Sequence, residues 1–202
     1  MEQATHSPRI RPSRIADEIA ARIPAKQFWW LCVLLASSLF ASFVRAQELD
    51  ERAIRVAYVF NLTKYVEWPR AGNRLVVCFV GDGPMGEALE KMLAGKTSDS
   101  RLIQVVLSPK DEDLDQCAVI YVGDSSPQKI RATLDHLRNK SVLTVGNTES
   151  FPKSGGMIGL VRVGQQVQMI VNLDAVERAR LKISSRVLNL ATIVHDVSEA
   201  RN

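Results

Sequence analysis

Residues 75–86 read Leu75-Val76-Val77-Cys78-Phe79-Val80-Gly81-Asp82-Gly83-Pro84-Met85-Gly86. Six apolar residues in unbroken succession predict a strand that is buried on both faces, because a half-exposed strand alternates apolar with polar residues. The glycine turn that follows leads into a predicted helix over 85–93, which ends near Gly95. A buried strand that runs directly into a helix indicates a parallel β-α-β unit.

The same alternation continues on both sides of this unit. Further apolar runs predict strands at 102–107, 118–122 and 142–145. Other helices are predicted at 50–66 and 127–137, with a single helical turn at 110–115. Apolar strands that alternate with helices are typical of a parallel sheet covered on both faces.

The C-terminal part departs from this alternation. Apolar runs at 157–163 and 167–173 are separated by Gly164-Gln165-Gln166, a spacing that predicts an antiparallel hairpin. A capping-box-like pattern predicts a helix start at Asp174, and apolar spacing predicts a second helix over 184–194, before a polar tail at 195–202. We therefore expect an α/β fold: a mostly parallel central sheet with helices on both faces and a C-terminal antiparallel hairpin at the edge.

The N-terminal 46 residues have the pattern of an export signal. A basic leader precedes the apolar run 28–44, and Val44-Arg45-Ala46 offers a cleavage site. We predict a signal peptide at 1–46 and a single α/β domain at 47–202, in the periplasm; the alternative is an uncleaved membrane anchor. Residues 1–46 hold six of the 26 basic and three of the 22 acidic residues, which leaves 20 and 19. The net charge of the remainder is thus near +1 and indicates no nucleic-acid partner.

The turn at 81–86 also matches G-x-G-x-x-G, the dinucleotide-binding fingerprint. An exported chain would meet little free dinucleotide. In addition, no acidic residue closes the next strand, which is followed by Ser108-Pro109-Lys110. We therefore interpret the glycines as a steric requirement of a tight turn and predict no cofactor.

Similar turns follow three of the predicted strands, at Gly81-Asp82, Gly123-Asp124 and Gly146-Asn147. Because the carboxyl ends of parallel strands share one edge, they would meet there, where open α/β sheets bind ligands. This predicts a small polar or anionic ligand near the following residues: Asp82, Gly83, Asp124, Ser125 and Asn147. The alternative, which has at least equal weight, is that the three turns are similar in sequence without forming a ligand site.

Cys78 and Cys117 are the cysteines that remain beyond residue 46. An even number in an oxidising compartment favours a disulfide, and the alternative is two buried free thiols. The strand alignment raises a difficulty, because Cys117 would lie about 10 Å from Cys78 along the sheet, beyond disulfide reach. A register offset or a bend before Ala118 must close this gap.

The sequence offers no catalytic constellation, and we predict that the chain is not an enzyme. The histidines beyond the leader are His136 and His195, and neither belongs to a nucleophile or metal motif. The acidic run at 111–115 lacks the glycine and terminal glutamate of a calcium loop. We interpret it as a solvated surface.

Four aromatic residues cluster within or just after the first predicted helix: Tyr58, Phe60, Tyr65 and Trp68. If they are exposed, such residues suit a protein-partner surface. The alternative is that they pack the helix onto the sheet.

The same region carries a family resemblance, through Ala57-Tyr58-Val59-Phe60-Asn61-Leu62-Thr63-Lys64-Tyr65-Val66-Glu67-Trp68-Pro69. This segment resembles the F-N-x-x-K-Y-x-x-W-P signature of the YfiR-like periplasmic proteins. Further similarities follow in order along the chain at 77–81, 117–121, 143–145, 151–158, 172–175 and 181–188.

The resemblance implies a regulator without enzymatic activity. It implies an α/β domain that forms a homodimer and represses an inner-membrane diguanylate cyclase by binding its periplasmic region, which lowers cyclic-di-GMP. It also implies sequestration by an OmpA-like outer-membrane lipoprotein. The family's cysteine pair matches Cys78 and Cys117, whereas a second pair found in some members near 151–159 is missing from this sequence.

Overall fold

The computed structural model describes residues 51–69 and 72–196. These residues belong to one compact unit, Glu48–Asn202. The predicted signal peptide at 1–46 and the end of the predicted polar tail lie outside the described residues.

The helices of the described chain are α1 (51–65), α2 (Met85–Leu93), α3 (Pro127–Leu137), α4 (Ser150–Lys153), α5 (Leu173–Arg178) and α6 (Ser185–Leu188), with a 3-10 helix at Asp111–Gln116. The strands are β1 (Val66–Glu67), β2 (Arg74–Val80), β3 (Thr97–Ser98), β4 (Arg101–Leu107), β5 (Val119–Val122), β6 (Leu143–Gly146), β7 (Ile158–Val163), β8 (Gln166–Asn172), β9 (Lys182–Ile183) and β10 (Ala191–Val194).

Eight strands form the central sheet in the order β10-β8-β7-β6-β5-β2-β4-β3. The pairs from β4 through β2, β5 and β6 to β7 are parallel, β7 and β8 form the antiparallel hairpin, and β10 runs parallel to β8. This confirms the expected α/β fold with a mostly parallel sheet and a C-terminal hairpin. Two short pairings were not expected from the sequence: β3 with β4, and β1 with β9 in a separate two-stranded sheet.

Buried side chains on the two faces of the sheet form two apolar clusters. The larger one packs α1, α2, α5 and α6 against the face that carries Val77 and Phe79. The smaller one packs the 3-10 helix, α3 and Phe151 of α4 against the face that carries Cys78 and Val80. Both faces are therefore covered, which explains why these strands are continuously apolar in sequence.

The buried side of the first helix agrees only in part with the apolar spacing of the sequence. That spacing predicts one apolar face, made of Ile54, Ala57, Tyr58, Leu62 and Tyr65. Leu62 is buried, and Ile54 and Tyr58 are partly buried against the core, whereas Ala57 is exposed and Tyr65 is 37% exposed. Val56 and Val59 are buried instead, so the spacing located the helix but missed part of its buried side.

The predicted helix over 184–194 is wrong in its second half. Only α6 is helical, and the chain then forms β10, in which Ala191 pairs with Met169 and Val194 with Asn172. Thr192, Ile193 and Val194 are β-branched, which favours a strand, and β8 would otherwise leave an unpaired edge.

The predicted helix start at Asp174 lies two residues after the observed N-cap, Asn172. Asn172 is the residue before α5, and its Oδ1 accepts a hydrogen bond of 3.1 Å from the amide of Ala175. Asparagine is a strong N-cap residue, so the capping signal lay at the end of the preceding strand.

Candidate functional site

Strand register brings the first two predicted glycine turns level with each other and places the third at the same edge, offset by one residue. Val80 of β2 pairs with Val122 of β5, and Val122 pairs with Gly146 of β6. The residues that follow these positions therefore emerge at one carboxyl edge of the sheet, as the sequence predicted.

Two of these turns are locked together. The amide of Asp82 donates a hydrogen bond of 2.9 Å to the carbonyl of Asp124. Gly81 has φ +128°, and a Cβ at this position would lie 2.7 Å from Ser125 Oγ and 2.9 Å from the Asp124 carbonyl oxygen. Glycine is thus required here for its backbone angle and for close approach of the neighbouring turn.

A cleft of about 320 Å³ opens beside these turns. We call it the rim cleft, and it is lined by Glu51, Arg52, Arg55, Asp82, Pro84, Met85, Tyr121, Gly123, Asp124 and Asn147. Its walls come from α1 on one side and from the ends of β2, β5 and β6 on the other.

The structure brings three of the five predicted rim residues into this cleft. Asp82, Asp124 and Asn147 line it, and the Asn147 side-chain amide donates a hydrogen bond of 3.1 Å to Asp124 Oδ1. Gly83 and Ser125 lie outside the lining. Gly83 is exposed in its turn, and Ser125 Oγ is buried without a hydrogen-bond partner among the described residues.

The basic wall of the rim cleft was not predicted from the sequence. Glu51 forms ion pairs with Arg55 at 2.5 Å and with Arg162 of β7 at 2.9 Å. Arg52 lies one turn before Arg55, so both guanidinium groups share a side of α1. The i,i+3 spacing of Arg52 and Arg55, away from the apolar face, places the two residues on one side of the helix. The sequence does not show, however, that α1 crosses the carboxyl edge of the sheet.

Tyr121 of β5 forms the floor of the rim cleft and is 1% exposed. Burial raises the pKa of its hydroxyl to about 12, while the charge of Arg55 lowers this pKa and the charges of Asp124 and Glu51 raise it. The phenol is therefore neutral at physiological pH and available to donate or accept a hydrogen bond.

A second cleft, of about 500 Å³, lies at the amino ends of the strands. Arg74, Arg101 and Arg180 line it together with Trp68 and Cys117. The Trp68 indole donates a hydrogen bond of 3.0 Å to the Ala118 carbonyl. The cleft therefore lies at the opposite end of the strands from the predicted rim.

Cys78 and Cys117 form a disulfide with a Cα–Cα distance of 6.0 Å. The strand register pairs Cys78 with Ile120, so Cys117 is offset by three residues along the sheet, as the sequence indicated. The offset closes because the 3-10 helix ends at Cys117 and the chain bends there before it enters β5. The bond lies in the smaller apolar cluster, and both cysteines are buried.

The four predicted aromatic residues do not form one exposed cluster. Tyr58 donates a hydrogen bond of 3.3 Å to the Val167 carbonyl, and Trp68 is held at Ala118, so both pack against the domain. Phe60 is half-buried, and Tyr65 is 37% exposed. The ammonium groups that cover the Phe60 ring belong to Lys64, at 4.3 Å, and Lys96, at 5.3 Å.

The described residues have neither a cluster suited to a metal ion nor a helix suited to a membrane. No group of three or more His, Cys, Asp or Glu side chains within 51–69 and 72–196 is arranged to hold a metal ion. In the same part of the chain, no helix combines the length and apolar character needed to cross a membrane.

Comparisons with solved structures show only distant similarity. One is a conserved domain protein from Vibrio cholerae O1 biovar El Tor, with 14% identity and a TM-score of 0.47 over 70% of this chain and 59% of that chain. Another is an ABC domain in complex with L-Trp from Streptococcus pneumonia, with 8% identity and a TM-score of 0.41 over 60% and 55%. The chain thus spans little more than half the length of each.

A family model described as YfiR/HmsC-like matches residues 52–192. This match runs from the first turn of α1 into β10 and includes both cysteines and every residue that lines the rim cleft except Glu51. It covers well over half of the chain and confirms the resemblance carried by residues 57–69. The chain therefore belongs to the YfiR/HmsC-like family.

Proposed function

We propose that this protein is a periplasmic regulator without enzymatic activity, which binds and represses an inner-membrane diguanylate cyclase and so lowers cyclic-di-GMP. The observation that carries the proposal is the family match over residues 52–192. The export pattern of residues 1–46 supports the periplasmic location, and the buried Cys78–Cys117 disulfide is consistent with an oxidising compartment.

The proposal includes two further interactions expected from the family. The protein acts as a homodimer, and an OmpA-like outer-membrane lipoprotein sequesters it and so relieves repression of the cyclase. Repression in this scheme is a binding equilibrium, which needs a surface of the domain rather than a catalytic group.

A surface on α1 is the candidate for contact with the cyclase. Phe60 and Tyr65 are the more accessible of the four aromatic residues, and Lys64 and Lys96 flank Phe60. Aromatic residues beside cations are typical of partner surfaces. Tyr58 and Trp68 support this surface from the domain side through their hydrogen bonds to backbone carbonyls.

Deletion of the gene combined with measurement of cellular cyclic-di-GMP tests the regulatory role. We expect cyclic-di-GMP to rise on deletion and the exported protein to recover a diguanylate cyclase from solubilised inner membranes. Unchanged cyclic-di-GMP together with no recovered cyclase would contradict the proposal.

Charge reversal on α1 tests the partner surface. Lys64→Glu should restore high cyclic-di-GMP while the protein stays folded, because it reverses an exposed charge beside Phe60. Lys129→Glu is the matched control, since this exposed lysine lies on α3, on the other face of the sheet. Equal repression by both variants would place the contact elsewhere.

The rim cleft favours a second candidate function, recognition of a small ligand at the carboxyl edge of the sheet. Its support is the convergence of Asp82, Asp124 and Asn147 with Arg52 and Tyr121 around one cavity. Such a ligand could modulate the binding of a partner, and its chemistry is argued next.

A further inference from the structure

One wall of the rim cleft carries two carboxylates that lack a cationic partner. Asp82 and Asp124 face each other across an isolated antiparallel bridge, which places their Cα atoms about 5 Å apart. Neither carboxylate forms an ion pair with a described residue, and the polar contact of Asp124 is the Asn147 amide at 3.1 Å. Two neighbouring carboxylates on one wall of a cleft, without a cationic partner among the described residues, favour a cationic ligand group there.

The opposite wall carries the positive charge. The Arg55 side chain is 15% exposed and is paired with Glu51, yet its Nε is buried without a hydrogen-bond partner among the described residues. Arg52 is half-buried, one turn away, and forms no ion pair with a described residue. This wall therefore offers guanidinium donors to an anionic group.

The floor between these walls is formed by Tyr121. Its side chain is 1% exposed, and burial keeps its hydroxyl neutral, with a pKa raised to about 12. A neutral phenol can donate or accept a hydrogen bond to a ligand in the cleft. Pro84 and Met85 add an apolar side, and the volume of about 320 Å³ is within the range of small-molecule sites.

We propose that the rim cleft binds a small zwitterion, with its ammonium group on Asp82 and Asp124 and its carboxylate or phosphate on Arg52. Binding of a simple anion is disfavoured because the two carboxylates would repel it. Binding of a simple cation is disfavoured because the two guanidinium groups would repel it. A ligand with both charges complements both walls, while Tyr121 bonds to its centre. This inference rests on the second candidate function and is independent of cyclase repression.

Titration calorimetry on the purified exported protein, without membranes, tests the binding. The probes are free α-amino acids from glycine to phenylalanine, with phosphoethanolamine as the phosphate form. Each is compared with its N-acetyl derivative, which lacks the ammonium group, and each amino acid also with its carboxamide, which lacks the carboxylate. We expect at least one zwitterion to bind and its derivatives to bind at least tenfold more weakly.

Variants locate the site. Asp82→Asn with Asp124→Asn, and separately Arg52→Gln, should each weaken binding at least tenfold. Asp135→Asn and Arg131→Gln make the same changes on α3, outside the cleft, and should leave the affinity unchanged.

Four results would overturn the proposal: absence of binding by every probe, equal affinity of the derivatives, unaltered affinity in the rim variants, or binding of Ca²⁺ alone at Asp82 and Asp124. If no probe binds the natural protein while that protein still represses the cyclase, the ligand is rejected and the regulatory function is unaffected.

Discussion

The side-chain amide of Asn172 donates a hydrogen bond of 2.8 Å to the carboxylate of Asp196, which joins the end of β8 to the second residue beyond β10. The same amide donates to the Pro152 carbonyl at 2.8 Å, and Asn172 Oδ1 caps α5 at Ala175. Asn172 is 0% exposed. Because Asn172→Ala removes the cap and leaves buried groups unpaired, we expect it to lower the free energy of unfolding by about 2–4 kcal/mol in urea denaturation.

Asn189→Ala is the matched control for this substitution. Asn189 follows α6, is exposed, and takes part in that helix end through its backbone. A surface change of this kind should alter stability by less than about 0.5 kcal/mol. Equal effects of the two variants would show that the network at Asn172 does not hold the C-terminal strand.

His195 forms a pH-dependent contact at the same end of the chain. Its Nδ1 lies 2.7 Å from Asp174 Oδ1. This hydrogen bond and the charge of Asp174 raise the pKa of His195 above its ordinary value of 6.5. The same hydrogen bond lowers the pKa of Asp174 below 3.8, with help from the Asp196 amide.

The histidine contribution to stability is complete below pH 6.5 and is lost as pH rises through the raised pKa. The aspartate contribution is complete above pH 3.8 and is lost as pH falls through the lowered pKa.

An NMR titration of His195 measures this coupling directly. Asp174→Asn should bring the pKa of His195 back toward its ordinary value, because it removes the first two causes of the increase. Glu177→Gln should lower it less, since Glu177 contributes a smaller charge effect. A His195 pKa that is unchanged in Asp174→Asn would contradict the contact.

The fold was predictable where one pattern had one structural solution. The buried runs at 75–80 and 118–122 became adjacent parallel strands, because a run without alternation must be covered on both faces. The segment 184–194 had two solutions, since its apolar spacing fits a helix while Ile193 and Val194 fit a strand. The exposed edge of β8 decided in favour of the strand, and that edge is a property of the assembled sheet.

The sequence predicted only the part of the candidate site that lies at the strand ends of the sheet. Asp82, Asp124 and Asn147 follow strands, so parallel register alone brings them together. Arg52 and Arg55 line the cleft because α1 packs across the edge of the sheet, and no local sequence pattern encodes that packing. For the same reason, the apolar spacing of α1 identified its buried side only in part. Val56 and Val59 are buried in place of Ala57 and Tyr65.

The disulfide should contribute strongly to stability. Cys78 and Cys117 are 39 residues apart in sequence, and closing a loop of this length stabilises by about 4 kcal/mol on the chain-entropy model. The double variant Cys78→Ala/Cys117→Ala should therefore unfold at a much lower urea concentration than the oxidised protein. Dithiothreitol should destabilise the natural protein and leave the double variant unchanged. A natural protein that is insensitive to reductant under denaturing conditions would indicate that the two cysteines are free thiols.

Two glycines with positive φ separate the effect of backbone strain from the effect of close packing at the rim. Gly81 has φ +128° and a Cβ there would contact Ser125 Oγ at 2.7 Å, whereas Gly95 has φ +78° and open space around it. Alanine at Gly95 should cost about 1 kcal/mol, the strain of a left-handed residue. Gly81→Ala should cost about 1–3 kcal/mol more, because the turn that carries Asp124 must move. Urea denaturation measures both values, and zwitterion binding should be lost only in Gly81→Ala. If the two variants are equally stable, the two rim turns are not packed as tightly as the Asp82–Asp124 hydrogen bond implies.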